Sequence, residues 1–300
     1  MRVLVIGGTV FVGRAVVAEA LARGDEVTVF HRGRSGAAPD GVETIHGDRT
    51  TDLGRLAGRA WDVVVDTCGF EREPVGAGAA AIDCERYVFV STAGVYRDWP
   101  ERPVPDEDAP LHTEGDSYSE LKAACERAAE AARPGAVAAI RPGIIFGPHE
   151  HVGRLPWWLD RMARGGRILA PGPRDAPFQC VDVRDLAELL LDSPPAPRNA
   201  VGPALTWGEL LETVHSVSGA PGSELVWTDA DVVHAAVPDS WDILPVWPAP
   251  DVPAAYAVGT KHPYAARALR DTVEATWAAM PAQRRVPGLD ARREAAILAG

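Results

Sequence analysis

Short runs that are apolar at consecutive positions limit the fold most narrowly: VLVI (3–6), VVVD (63–66) and VFVS (88–91). A strand with one wet face alternates apolar and polar residues. Runs like these are expected in strands covered on both faces, as in a parallel sheet flanked by helices. Strands are expected at 2–6, 26–30, 42–46, 62–66, 86–91 and 136–141, with helical patterns between them at 13–23, 51–58, 74–82 and 118–133. The alternation predicts an α/β fold with a doubly wound parallel sheet, in which ligands bind at the carboxyl ends of the strands.

The texture changes after about residue 148. Trp157, Trp158, Trp207, Trp227, Trp241, Trp247 and Trp277 crowd this half, and proline-rich connections appear at SPPAPR (193–198) and VWPAPDVPAA (246–255). Helical patterns continue at 154–164, 184–191, 207–217, 263–280 and 291–298. The expected division is a sheet domain over 1–150 and a smaller substrate-facing lobe over 151–300. FQCVDVRDLAELL (178–190) is expected to return to the sheet, and with it the stretch 178–200.

The chain has 300 residues and a formal net charge of −12. Nucleic acids and anionic membranes reward a basic surface, so neither is an expected partner. Cys68, Cys84, Cys125 and Cys180 form no C-x-x-C pair, which points away from a disulfide framework or zinc site and toward free thiols. The first strand begins at residue 2 and no apolar run reaches membrane-span length. A soluble cytoplasmic protein is expected.

The first strand leads into GGTVFVG (7–13). Strand, glycine turn and helix N-terminus together bind the pyrophosphate of a dinucleotide, through backbone N–H groups and the helix dipole. Gly7, Thr9, Val10, Phe11, Val12 and Gly13 are therefore candidate cofactor contacts. Val10 stands where a middle glycine is usual, and it lacks glycine's freedom at positive φ. The second strand ends VTVFHRGR (27–34), without the acidic residue that binds an NAD ribose. Arg32 and Arg34 suit a 2′-phosphate instead, so NADP is favoured and NAD remains an alternative. Asp48, in HGDR (46–49), is a candidate partner for the adenine amino group, and Cys68, in DTCGF, is placed near the cofactor.

The fifth strand ends FVSTAGVY (89–96), and DSYSELKAACE (116–126) follows. Tyr118 and Lys122 share one helix face at i, i+4. A phenol with a pKa near 10 is a poor acid or base at neutral pH, and a nearby ammonium lowers that pKa. The pair becomes a proton donor or acceptor, with the Thr92 hydroxyl placed to hold a substrate oxygen. Five tyrosines and two lysines give such a spacing by chance only about 0.03 times.

GGTVFVG, STAGVY, YSELK, RPGIIFGP (141–148) and FQCVDVRDLA (178–187) follow the order and spacing of the extended short-chain dehydrogenase/reductases. The chain resembles that superfamily of NAD(P)-dependent epimerases, dehydratases and carbonyl reductases over residues 1–215, and more weakly beyond. The resemblance implies a Rossmann sheet with a C-terminal substrate lobe. It makes Tyr118 the catalytic acid/base, Lys122 the residue that holds the nicotinamide ribose and tunes Tyr118, and Thr92 the hydroxyl that polarises the reacting carbonyl, with Ser91 as a substitute. A homodimer is also common among such proteins. One branch has GGT-x-F-x-G turns without the middle glycine, so Val10 does not cancel the fingerprint.

Nucleotide-sugar members carry an Asn three residues after the Arg of RPGIIFGP, where this chain has Ile144. That departure and the lobe tryptophans favour a small, fairly apolar ketone or alcohol. The expected activity is NADP-dependent hydride transfer. A nucleotide-sugar epimerase is the alternative, and dehydration is disfavoured because Ala93 and Gly94 follow Thr92 where an acid/base pair would be needed. A non-catalytic nucleotide-sensing or RNA-binding protein is the third reading, since chloroplast RNA-binding proteins share the turn. The acidic charge and the intact Tyr118–Lys122 pair oppose it. His149, Gln179 and Arg184 are candidate substrate contacts. The run His149-Glu150-His151 lacks further ligands at metal-binding spacing, so no metal is expected.

Overall fold

The computed structural model describes residues 1–238, 243–252, 255–281 and 286–299. Seven parallel strands form its main sheet. Six are β1 (Arg2–Ile6), β2 (Glu26–His31), β3 (Glu43–His46), β4 (Ala60–Asp66), β5 (Asp83–Val90) and β6 (Val137–Pro142); the seventh is the strand Arg198–Ala200. Across the sheet the order is Arg198–Ala200, β6, β5, β4, β1, β2, β3. The order reverses between β1 and β4, which places a crevice at their carboxyl ends.

The apolar runs are explained by two cores. On one face Val3, Val5, Val63 and Val65 pack with Val16 and Val17 of α1 (Phe11–Ala22) and with Leu186 and Leu190 of α5 (Val183–Asp192). On the other, Leu4, Ile6, Val64 and Phe89 pack with Val75 and Ala79 of α2 (Arg72–Ala81) and with Cys125 and Ala129 of α3 (Tyr118–Ala132). Successive residues of one strand thus serve opposite cores. Residues of the 178–200 stretch share the first of these cores, and Arg198–Ala200 extends the sheet beside β6.

A separate core holds α4 (Arg154–Ala163), α6 (Trp207–Ser218) and the segments around them. Trp157, Trp158, Trp207 and Trp247 are buried in it, and the last three donate their indole N–H to the carbonyls of Pro245, Pro171 and Gly172, each at 2.8 Å. Trp227 packs against this core, Trp277 is 37% exposed, and Trp241 lies outside the described residues.

Two helical expectations are corrected. The 51–58 stretch makes only a short 3-10 turn, Leu53–Leu56, with Gly58 beyond it at φ 75°. The 263–280 helix begins late, at Leu269, because the Arg267 N–H is spent on the Asp185 carboxylate at 2.8 Å. A parallel pair, Arg167–Pro171 with Glu224–Thr228, and the helix Ala230–Ala236 lie where no regular element is expected. No helix among the described residues is long and apolar enough to cross a membrane.

Candidate functional site

β1 delivers the chain to Gly7, whose N–H donates to the Phe30 carbonyl of β2 at 3.0 Å. Gly7 and Gly8 take φ of 110° and 84°, which suits residues without Cβ. A Cβ on Gly13 would come within 2.5 Å of the Gly8 nitrogen, so α1 docks on the turn only with glycine there. Val10 departs from expectation: it is extended, at φ −135°, and requires no glycine freedom. The left-handed φ falls instead on Phe11, at 36°. No side chain caps α1, which leaves its first-turn N–H groups for an anion.

A cavity of about 270 Å³ opens beside this turn. Gly7, Thr9, Arg32, Arg34, Asp48 and Cys68, all cofactor candidates from the sequence, line it together. Arg32 and Arg34 are exposed, and Arg32 lies 3.9 Å from the Asp48 carboxylate. The Thr50 N–H and hydroxyl both donate to Asp48 and hold its carboxyl below the usual range. Burial pushes the Cys68 thiol up to about 11, which keeps it protonated and no nucleophile.

His31, Arg49 and Phe70 also line the cavity, although the sequence reading does not single them out. His31 Nδ1 accepts from the Gly33 N–H at 3.1 Å, so in the neutral ring the proton sits on Nε2, a buried atom without a partner among the described residues. Burial, then the neighbouring His46, lowers its pKa. Arg49 makes a two-pronged pair with Asp66, 2.8 Å on each side, and the Tyr87 hydroxyl donates to the same carboxylate at 2.7 Å. Burial opposes ionisation of Asp66, but Arg49 and Tyr87 outweigh it and hold the pKa low. The available signal was a charge closing an otherwise apolar strand.

A capping box starts α3: Ser117 Oγ accepts from the Glu120 N–H, and the Glu120 carboxylate accepts from the Ser117 N–H at 2.8 Å. α3 leads back into β6, so Tyr118, its first residue, stands at the carboxyl end of the sheet. Tyr118 is 56% exposed, with its ring centroid 6.5 Å from that of Phe70. Lys122 is 3% exposed; its Nζ donates to the carbonyls of Gly69 at 2.9 Å and Val90 at 2.5 Å, and lies 4.2 Å from the Phe89 ring centroid.

This geometry alters the expected tuning of the phenol. The ammonium is turned into backbone carbonyls, and partial desolvation raises the Tyr118 pKa against the field of Arg154. Burial lowers Lys122 to about 8, although the Asp66 charge opposes this. Thr92 Oγ1 accepts from the Gly94 N–H at 3.1 Å, which leaves its hydroxyl proton to donate. Ser91 is more deeply buried than Thr92, and its Oγ has no partner among the described residues.

The three candidate substrate contacts do not line this cavity. His149 is exposed at φ 65° and borders a different hollow with Pro156 and Thr276. Both ends of the Gln179 amide are engaged, donating to the carbonyls of Gly202 and Val258 and accepting from the Val258 N–H. Arg184 pairs with Asp182 at 2.6 Å. In the His-Glu-His run, Glu150 accepts from the N–H groups of Arg154 and Leu155 and so caps α4, while His151 stands edge-on to Phe11 at 6.1 Å.

Residues 74–201 match the model of the NAD dependent epimerase/dehydratase family. Chloroplast stem-loop binding protein of 41 kDa b from Arabidopsis thaliana is 29% identical over 210 residues, 64% of this chain and 54% of that protein. The chain therefore spans about half the length of that curated relative. The Bordetella bronchiseptica enzyme WbmH in complex with NAD+ superposes with a TM-score of 0.71 at 19% identity, over 93% of this chain and 97% of that one. The UDP-glucose 4-epimerase of Thermus thermophilus in complex with NAD gives 0.65 at 21% identity, over 93% and 98%. Over residues 74–201 the chain is thus similar to the NAD dependent epimerase/dehydratase family, and its seven-stranded parallel sheet shares the fold of these solved structures.

Proposed function

We propose that the chain is a nicotinamide-dinucleotide-dependent oxidoreductase that interconverts a ketone and an alcohol and prefers NADP(H). The observation that carries this reading is Tyr118, presented to solvent at the carboxyl end of the sheet with Lys122 buried one turn below it, next to the cavity at the glycine turn. The lining of the cavity suits the adenosine end of a dinucleotide. Gly7, Gly8 and Gly13 let the turn pack closely against Thr67, Val29 and α1, the uncapped α1 N-terminus suits a pyrophosphate, and Arg32 and Arg34 suit a 2′-phosphate. A nicotinamide would supply the hydride donor or acceptor.

The chain's own residues handle the substrate oxygen. Thr92 donates a hydrogen bond to it, and Tyr118 gives it a proton or takes one away. Lys122 has three N–H donors and spends two on Gly69 and Val90, which leaves one for a ribose hydroxyl. The apolar substrate character expected from the tryptophans loses most of its support, because Trp157, Trp158, Trp207 and Trp247 form a core rather than a lining.

Two other readings have an observation each. The Thermus thermophilus neighbour is a nucleotide-sugar epimerase, which favours transient use of the cofactor in the same site. Ile144 opposes it: this apolar side chain packs toward the lobe core where a diphosphate ligand would be needed. The Arabidopsis relative is named for stem-loop binding, which favours an RNA-binding role, and the net charge of −12 opposes it.

Parallel titrations of the purified protein with NADPH and NADH, followed by nicotinamide fluorescence, test the proposal. Tighter binding of NADPH is expected, with that preference lost in an Arg32→Ala/Arg34→Ala double variant. Tighter binding of NADH would overturn the NADP assignment and raise the epimerase reading. Binding of neither would overturn the dinucleotide function itself.

A further inference from the structure

Lys122 gives two of its N–H groups to the carbonyls of Gly69 and Val90. A third N–H exists only while the amine is an ammonium, because a neutral amine has two and both carbonyls would claim them. Burial works against the charged form and lowers the Lys122 pKa to about 8. Whether Lys122 has a hydrogen bond to offer a ligand thus depends on what opposes its burial.

Asp66 closes β4 and is fully buried. Arg49 holds both of its oxygens at 2.8 Å, and the Tyr87 hydroxyl donates to Oδ2 at 2.7 Å. The same Oδ2 lies 3.3 Å from the place a Cβ would take on Gly69, and Gly69 supplies one of the two carbonyls to Lys122. Phe89 makes a second link. It is the register partner of Asp66 across β4 and β5, and the Lys122 Nζ stands 4.2 Å from its ring centroid. Carboxylate and ammonium therefore meet around one glycine and one ring.

The other titratable groups that face Lys122 are poorer counter-charges. Burial pushes the thiols of Cys68 and Cys125 up to about 11, so both are neutral where Lys122 titrates. Glu126, one turn further along α3, is turned to the Arg141 guanidinium at 3.0 and 2.7 Å. Tyr118, one turn back, is a neutral phenol whose pKa is raised. Arg49 is a cation beside the carboxylate, yet the field of Asp66 is the strongest that acts on Lys122.

We propose that Asp66 is the positioning residue that keeps Lys122 an ammonium, and so keeps its third N–H available to the ribose of a bound dinucleotide. The inference rests on the proposed function, which supplies the dinucleotide.

The chain has two lysines, Lys122 and Lys261. Lysine labelled with 13C at Cε therefore gives two NMR signals, each reporting the charge of its own amine. Lys261, exposed and paired with Asp108, is the internal reference. Wild type, Asp66→Asn, Tyr87→Phe and an Arg49→Met/Asp66→Asn double variant are titrated, with melting curves to confirm folding. Tyr87→Phe removes a hydrogen bond from the network but leaves the carboxylate ionised against Arg49, so it controls for disturbed packing. The double variant removes the guanidinium that Asp66→Asn leaves unpaired, and it carries the test where the single variant does not fold.

The Lys122 midpoint is expected near 8 in wild type. It should lie about one pH unit or more lower in Asp66→Asn, lower also in the double variant, and unchanged in Tyr87→Phe. The Lys261 midpoint should be the same in all four proteins. Relative to wild type, Asp66→Asn should bind NADPH within about twofold at about pH 6.5 and about fivefold more weakly at about pH 8. A Lys122 midpoint unchanged in the Asp66 variants overturns the proposal, as does an equal fall in Tyr87→Phe, which would trace the change to packing. A ratio of NADPH affinities that is the same at both pH values overturns it too, because the loss would not follow the proton. If wild type binds no NADPH, the inference falls with the proposed function, whereas an unchanged lysine midpoint beside normal NADPH binding sinks the inference alone.

Discussion

Lys122 is a cation in a poorly solvated place, satisfied by two carbonyls and the edge of a carboxylate's field. Its pKa falls from 10.5 to about 8 on folding. Between these values the unfolded chain binds the proton and the folded chain does not, so stability rises with pH across the window. Below pH 8 the burial penalty is present in full, and above pH 10.5 it is relieved. The stability of wild type relative to Lys122→Met should therefore increase by about 3 kcal/mol between pH 7.5 and 10.5. Urea denaturation of both proteins at several pH values measures this, and groups that titrate in both cancel. A difference independent of pH would mean that the ammonium stays charged in the fold. The Tyr118–Lys122 pair was legible because helical spacing is a local property. Its electrostatic setting was not, because Asp66 and Arg154 act on it only through the fold.

At the scale of elements, the strands and α1 to α3 were readable from period and apolarity because both faces of the sheet are covered. The late start at Leu269 was not, because a single hydrogen bond from Arg267 to a distant carboxylate decides it. The glycine turn shows the same division. Gly13 was read correctly as a packing residue, while the backbone at Val10 is ordinary extended chain that the missing glycine does not disturb. Gly13→Ala should cost about 1–3 kcal/mol, because its methyl group meets the backbone of Gly8 rather than a movable side chain. It should also weaken dinucleotide binding by displacing the turn from α1. Val10→Gly, by contrast, should lower stability slightly and give no gain in dinucleotide affinity. Thermal melts and nicotinamide fluorescence on the two variants check both statements. Tighter binding by Val10→Gly would mean that the side chain obstructs the phosphates after all.

The whole molecule depends on how the last third of the chain is fastened across the sheet. Val258 bridges to Val104, and the Glu107 carboxylate gathers the Asn199 N–H at 2.9 Å, the Thr260 hydroxyl at 2.6 Å and the Lys261 N–H at 2.9 Å. Asn199 continues the network through Tyr96 to Arg141, which is paired with Glu126 of α3. In the sequence Glu107 lies in PDEDAP (105–110), which reads as a solvated acidic loop, so this fastening was invisible there. Glu107 is only 8% exposed. Burial alone would raise its pKa, but the donors from Thr260, Lys261 and Asn199 outweigh it, so the folded carboxyl titrates below the unfolded one. The stability it contributes is present above the unfolded pKa of about 4.3 and is lost as pH falls through the folded value. Glu107→Gln should therefore be less stable than wild type at pH 7 by about 2 kcal/mol, with the gap narrowing on acidification. Urea denaturation from pH 7 down to the acid limit of folding measures that gap. A constant gap would mean that only the shape of Glu107 matters. A narrowing one would mean that its charge helps hold the C-terminal segment over the end of the sheet that carries Tyr118.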